Sequence, residues 1–152
     1  MGDQARPVVT EADIEAMTTW TLIRLGRHLE HLLTDALRPH GLTPQQYGIL
    51  AQLSARPALT QAALAEAVLM RPQSMQHQLQ RLEELGLIER PTLRGRGQRN
   101  PVHLSEAGLV ALGEVHERIR HANSDAALGL DPDEHRVLDA MAHRLLLVGS
   151  LG

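Results

Sequence analysis

Phenylalanine, cysteine and lysine are all absent from this chain of 152 residues, and aromatic residues reduce to Trp20 and Tyr47. Without cysteine there are no disulfides, no thiolate metal ligands and no thiol redox chemistry. A core without phenylalanine must be built from Leu, Ala, Val, Ile and Met, a composition that favours helices packed on helices. All 15 basic residues are arginine. No secretory leader pattern opens the chain, and no apolar run reaches the roughly 18 residues of a membrane span. A soluble cytoplasmic protein with no membrane partner is the expectation. Gly-rich phosphate loops, nucleophile elbows and paired carboxylates at a recognisable site are also missing, so nothing points to an enzyme or to a bound cofactor.

The charge that is present is unevenly spread. The whole chain carries −3, yet from Arg71 to Arg99 six arginines face three glutamates, a local +3, which leaves −6 elsewhere. A basic segment on an acidic body suits one face that meets DNA. Within that segment Met75, Leu79 and Leu82 recur at helical spacing, while Gln73, Ser74, Gln76, His77, Gln80 and Arg81 occupy the other face. Amides and hydroxyls both donate and accept hydrogen bonds, which is what reading base edges requires. Arg90, Arg94, Arg96 and Arg99 follow in or beside a Gly-rich stretch suited to gripping phosphates.

The remaining elements follow from caps and periodicity. Thr10 and Asp13 open a helix expected to run unbroken over about 11–38, with a wide apolar stripe that calls for a second subunit. Thr43-Pro44-Gln45-Gln46 starts the next helix, with Tyr47, Leu50 and Leu53 inward. Thr60 caps a short helix to about Ala67, and after a turn the helix from Pro72 runs to Gly86. Residues 87–90 and 102–104 read as a two-stranded hairpin, kept at a sheet edge by the prolines at both ends of its long connection. Ser105 opens a second long helix ending near Gly129. Asp131-Pro132-Asp133-Glu134 begins a last one to about Val148. The fold class is mostly α with a minor β part: a winged helix-turn-helix between long terminal helices. The expected divisions are 1–41 for N-terminal dimerisation, 42–104 for DNA binding and 105–152 for C-terminal dimerisation.

With those elements placed, the chain resembles the MarR family of bacterial winged-helix repressors. The resemblance rests on L-T-P-Q-Q-Y-G-I-L at 42–50, L-T-Q-A-A-L-A-E at 59–66, R-L-E-E-L-G-L-I-E-R at 81–90 and V-H-L-S-E-A-G at 102–108. It implies a homodimer on double-stranded DNA, reading a pseudo-palindromic operator with half-sites about one helical turn apart. Arg71, Gln73, Ser74, Gln76, His77 and Arg81 become the recognition-helix contacts, and Arg94, Arg96 and Arg99 the wing contacts. Two departures stand out. The family's Asp-x-Arg wing pair falls here on Arg96 and Gln98, and Arg71-Pro72 replaces the usual hydroxyl cap.

The resemblance also implies a small anionic or aromatic effector in the crevice between dimer helices and winged lobe. Trp20, Arg24, His28 and His31 share a face of the first helix near it, where an arginine and an indole suit a carboxylated ring. Two alternatives use the same fold. Nine histidines, with His28 and His31 on one helix and His116, Glu117 and His121 on another, raise a zinc-responsive regulator. A winged helix that binds only protein is the other. His77 or His103 beside phosphates would add pH sensitivity.

Overall fold

A computed structural model of the protein describes residues 8–90 and 101–149. Its element order is α1 (Glu11–Glu15), α2 (Thr18–Leu37), α3 (Pro44–Ala55), β1 (Leu59–Thr60), α4 (Gln61–Ala67), α5 (Pro72–Glu84), β2 (Ile88–Glu89), β3 (Pro101–Leu104), α6 (Glu106–Ala122), α7 (Asp125–Leu128) and α8 (Pro132–Gly149). The mostly helical class and the helix-turn-helix order agree with the sequence reading. One core holds the lobe together. Leu50, Leu64, Met75, Leu79 and Leu82 of α3–α5 meet Ile88 and Val102 of the sheet, with Leu37 of α2 and Val115 of α6 closing it, all at most 3% exposed.

Four expectations need correction. The first helix is not continuous: it ends at Glu15 and restarts at Thr18, with Met17 in extended backbone. The apolar spacing of Ile14 and Met17 runs through this joint, so periodicity hides it. The second long helix likewise stops at Ala122, because the Ser124 hydroxyl accepts from the Ala127 N–H and starts a separate short helix. The sheet has three strands, in the order β1-β3-β2. The third, Leu59–Thr60, pairs antiparallel with Pro101–Val102. Consequently β3 is the central strand and not an edge. Pro101 is tolerated there because it sits at the first position of the strand, where a missing ladder N–H costs least.

Caps fix most of the boundaries. Thr43 Oγ1 accepts from Gln46 N–H at 3.2 Å, and Gln46 Oε1 accepts from Thr43 N–H at 3.1 Å, a reciprocal box that starts α3. At Thr10 a similar box, with the hydroxyl and the backbone N–H on Asp13, holds the Asp13 carboxyl below its usual range. A depressed carboxylate stabilises its cap at pH above that range and loses the contribution as pH falls through it. Both α4 and α5 end in Schellman turns. After α5, Leu87 N–H reaches Leu82 O at 3.0 Å around Gly86 at φ +70°. After α4, Met70 N–H reaches Ala65 O at 2.8 Å, but the left-handed position is Leu69, at φ +51°.

The V-x-L-S-x-x-G motif is a docking device between strand and helix. Ser105 Oγ donates to Gly86 O at 2.6 Å and accepts from Gly108 N–H at 3.0 Å, while Ser105 N–H donates to Leu87 O at 3.1 Å. A Cβ on Gly108 would lie 2.0 Å from Leu87 O, so this turn of α6 admits no side chain. Gly108→Ala therefore forces strand and helix apart and is expected to cost about 1–3 kcal/mol. Gly113→Ala, on the same helix with open space around it, is expected to stabilise by up to about 1 kcal/mol. Thermal melts of the two variants on opposite sides of wild type would bear this out; a higher melting temperature for Gly108→Ala would refute it.

Candidate nucleic-acid interface

Helix α5 presents two unlike faces for a simple reason. Met75, Leu79 and Leu82 are fully buried, so every residue about half a turn away must point outward. Arg71, Gln73, Ser74, Gln76, His77 and Arg81 are all exposed, as the sequence pattern required. Arg71 occupies the cap position in extended backbone with no side-chain cap bond, and Pro72 fills the first helical position. Gln61 Nε2 donates to Pro72 O at 3.5 Å, a long bond that ties α4 to the start of α5.

These side chains are not equally available. Among the described residues, nothing in the protein hydrogen-bonds the side chains of Gln73, Ser74, Gln76 or His77. Gln80 Nε2 instead donates to Glu84 at 3.4 Å, and Arg81 Nη1 to the same carboxylate at 3.2 Å. Arg90 Nε donates to Glu83 at 2.9 Å. The sequence count of six arginines against three glutamates misses this pairing. With Arg81 and Arg90 answered by carboxylates, the unanswered positive charge of the segment falls to Arg71 and to the arginines at 94, 96 and 99 of the sequence. Arg94, Arg96 and Arg99 lie outside the described residues, as does the Arg96–Gln98 departure. His103 sits on β3 opposite Glu89.

The remaining predicted residues lie along one helix. Trp20, Arg24, His28 and His31 are exposed along α2. The crevice between α2 and the lobe, about 320 Å³, is lined by other residues, including Gly26, Glu30, Gln45 and Gly48. A hydrogen bond of 2.9 Å from Gln45 Nε2 to Glu30 crosses it. His28 lines another space, of about 500 Å³, between α2, α7 and α8. His116 Nδ1 lies 3.0 Å from Tyr47 Oη, and burial raises the Tyr47 pKa. Sequence patterning gave no sign of that α3–α6 contact. Among the described residues no three His, Asp or Glu side chains converge to hold a metal, so nothing there supports the zinc alternative. Nor is any described helix long and apolar enough to cross a membrane.

Large apolar side chains remain uncovered on the terminal helices. Ile14, Met17, Trp20 and Ile23 lie open at the N-terminal end, and Val137, Met141, Leu145 and Val148 along α8. Among the described residues nothing fully covers these faces.

A buried sheet-and-helix lobe with an outward amide-rich helix defines a winged helix-turn-helix protein. The model of the MarR family matches residues 40–99. A putative transcriptional regulatory protein for the hcr operon of Thauera aromatica is 31% identical over 129 residues, covering 80% of this chain and 78% of that one. The chain belongs to the MarR family of transcriptional regulators, and is not an enzyme. The HTH-type transcriptional repressor Rv2887 of Mycobacterium tuberculosis is 29% identical over 131 residues, 86% of this chain and 94% of that protein. Its structure in complex with DNA superposes with a TM-score of 0.69 at 28% identity, over 86% and 98% of the two chains. Its complex with salicylic acid gives 0.68 at 29% identity, over 86% and 96%. A probable transcriptional regulator from Pseudomonas aeruginosa gives 0.78 at 26% identity, over 87% and 98%.

Proposed function

We propose that this chain is a homodimeric, sequence-specific DNA-binding repressor whose hold on its operator is released by a small organic ligand. Two copies join through the segments 1–41 and 105–152, and each presents its 42–104 lobe to one half-site. The observation that carries the reading is the pairing of two surfaces on one chain. The uncovered apolar faces of α2 and α8 need a partner, and the outer face of α5 carries hydrogen-bonding side chains that bond nothing among the described residues. The DNA complex of the Mycobacterium tuberculosis relative supports the polynucleotide as that second partner, and its salicylic acid complex supports a ligand-released repressor. The protein-only alternative leaves the free amides of α5 without a purpose.

In this mechanism Gln73, Ser74, Gln76 and His77 reach base edges or the adjoining backbone from within the major groove. Arg71 neutralises a phosphate at the groove's lip. Arg94, Arg96 and Arg99 grip phosphates from the wing. A bound ligand acts only through a difference in affinity for two spacings of the lobes, one matched to successive grooves and one not.

Titration of the purified protein against the DNA upstream of its own gene tests this. Gln76→Ala is expected to weaken binding by about 1–3 kcal/mol and to relax the preference at one base pair per half-site. Arg96→Ala should lower the slope of log affinity against log salt concentration by about one for each wing it leaves. Equal affinity for native and scrambled sequence, unmoved by either substitution, would favour the protein-only module.

A further inference from the structure

Helix α5 and the strand after it are electrically balanced. From Arg71 to Arg90 the chain carries three arginines (71, 81 and 90) and three glutamates (83, 84 and 89), so with histidine neutral the stretch has no net charge. Two of those glutamates are the last residues of α5. Gln73, His77, Gln80 and Glu84 fall at i, i+4, i+7 and i+11, which puts them on one stripe of the helix, and all four are exposed. The stripe that meets base edges in the proposed complex therefore ends in a carboxylate.

Both oxygens of that carboxylate are engaged. Glu84 Oε1 accepts from Gln80 Nε2 at 3.4 Å, and Oε2 accepts from Arg81 Nη1 at 3.2 Å. Beside it, Glu83 Oε2 accepts two bonds from the Arg90 guanidinium, one from Nε at 2.9 Å and one from Nη2. That second pair joins the end of α5 to the residue that follows β2. The Arg81–Glu84 pair lies on the surface with more than half of each side chain exposed. Pairs of that kind add little to stability.

Their larger effect is on the attraction to a duplex. Affinity for unrelated DNA comes from cationic side chains that neutralise phosphates and release counterions. A carboxylate beside a guanidinium cancels that attraction and repels phosphate itself. Gln73, Ser74 and Gln76 are uncharged and reach base edges by hydrogen bonds, so their contribution survives the balance. We infer that Glu83 and Glu84 are specificity-determining residues, which act through Arg90 and Arg81 by suppressing sequence-independent binding. The inference rests on the reading of α5 as the helix that reads an operator. On unrelated DNA the lobe settles wherever a released guanidinium best meets phosphate. On the operator, base contacts fix the register, and the same guanidinium takes only what that register offers. Removing the carboxylate therefore favours unrelated sequence.

The test is a titration of the full-length protein against the DNA upstream of its own gene and against a scrambled duplex of equal length, over a series of salt concentrations. Glu84→Gln is expected to raise affinity for the scrambled duplex about fivefold or more at low salt, and to steepen its slope of log affinity against log salt concentration by about one for each Arg81 released. Affinity for the upstream DNA should change about twofold or less, so the preference shrinks. Glu83→Gln should act in the same direction through Arg90. Glu117→Gln is the control, because Glu117 holds Arg120 at 2.6 Å in a like pair on α6, outside the lobe. It removes the same charge and should leave both affinities as in wild type. A preference unchanged by Glu84→Gln, or changed as much by Glu117→Gln, overturns the inference and leaves the operator reading standing. Equal wild-type affinity for the two duplexes would sink the operator reading, and this inference with it.

Discussion

Met141→Arg yields a monomer that no longer holds its operator. Met141 is 51% exposed on the single chain and sits in the middle of the stripe Val137, Met141, Leu145 and Val148. In the proposed dimer that stripe is buried against the second copy, so the substitution places an unpaired guanidinium in an apolar interface. Leaving a charge desolvated without a partner costs several kcal/mol. A loss of about 3 kcal/mol is already more than a hundredfold in the dimer equilibrium. Since α8 contributes nothing to the lobe's buried core, the monomer keeps its helical spectrum and its folded lobe. Sedimentation would show half the mass, and operator affinity would drop at least a hundredfold, because one recognition helix alone replaces two. A variant that still sediments as wild type would show that this stripe is not the joint.

Leu79→Ala is expected to unfold the lobe at far milder temperature while leaving the outer face of α5 chemically intact. Leu79 is fully buried between Met75 and Leu82, on the side of α5 that packs against α3, α4 and the strands. Removing its isobutyl group loses transfer free energy and leaves a cavity that the surrounding helices only partly fill, about 2–5 kcal/mol in total. For a chain of this size that is a fall of roughly 5–15 °C in melting temperature. No residue proposed to touch DNA changes. Operator affinity should therefore be near wild type well below the new melting temperature and vanish through it. A calorimetric scan and an affinity series over the same temperatures separate the two effects. A melting temperature within a degree of wild type would mean that the recognition helix is anchored some other way.

Both predictions draw on features that were plain in the amino-acid sequence, and the reason is local. The Thr43 box, the Pro72 start, the Gly86 stop and the Met75-Leu79-Leu82 stripe are each determined within a few residues of chain, where caps and helical spacing act. What stayed hidden depends on contacts far along the chain or on a competition between similar signals. The strand at Leu59–Thr60 is two residues long and exists because Pro101–Val102 lies beside it. The joint at Ala16–Met17 carries apolar residues in phase with both flanking helices, so spacing alone reads through it. The break before α7 was legible, since Ser124-Asp125 is an ordinary helix start, but the stripe of α6 masked it. The candidate site divides in the same way. The outward face of α5 follows from its inward one. The capture of Arg81 by Glu84 and of Arg90 by Glu83 depends on side-chain geometry that charge counting ignores. The aromatic–arginine face of α2 was a pattern on one helix, whereas a cavity needs several. His28 meets the walls supplied by α7 and α8.

The geometry of the dimer is tested most directly by changing the distance between half-sites. Once the operator is mapped, five base pairs inserted at its centre rotate one half-site by about half a turn relative to the other. The account predicts that affinity for the expanded operator falls at least a hundredfold, close to that for unrelated DNA. A ten-base-pair insertion, which restores the face but not the distance, should recover little of it. Undiminished affinity for the five-base-pair expansion would contradict the account, because two rigidly joined recognition helices cannot follow half-sites turned to opposite sides of the duplex.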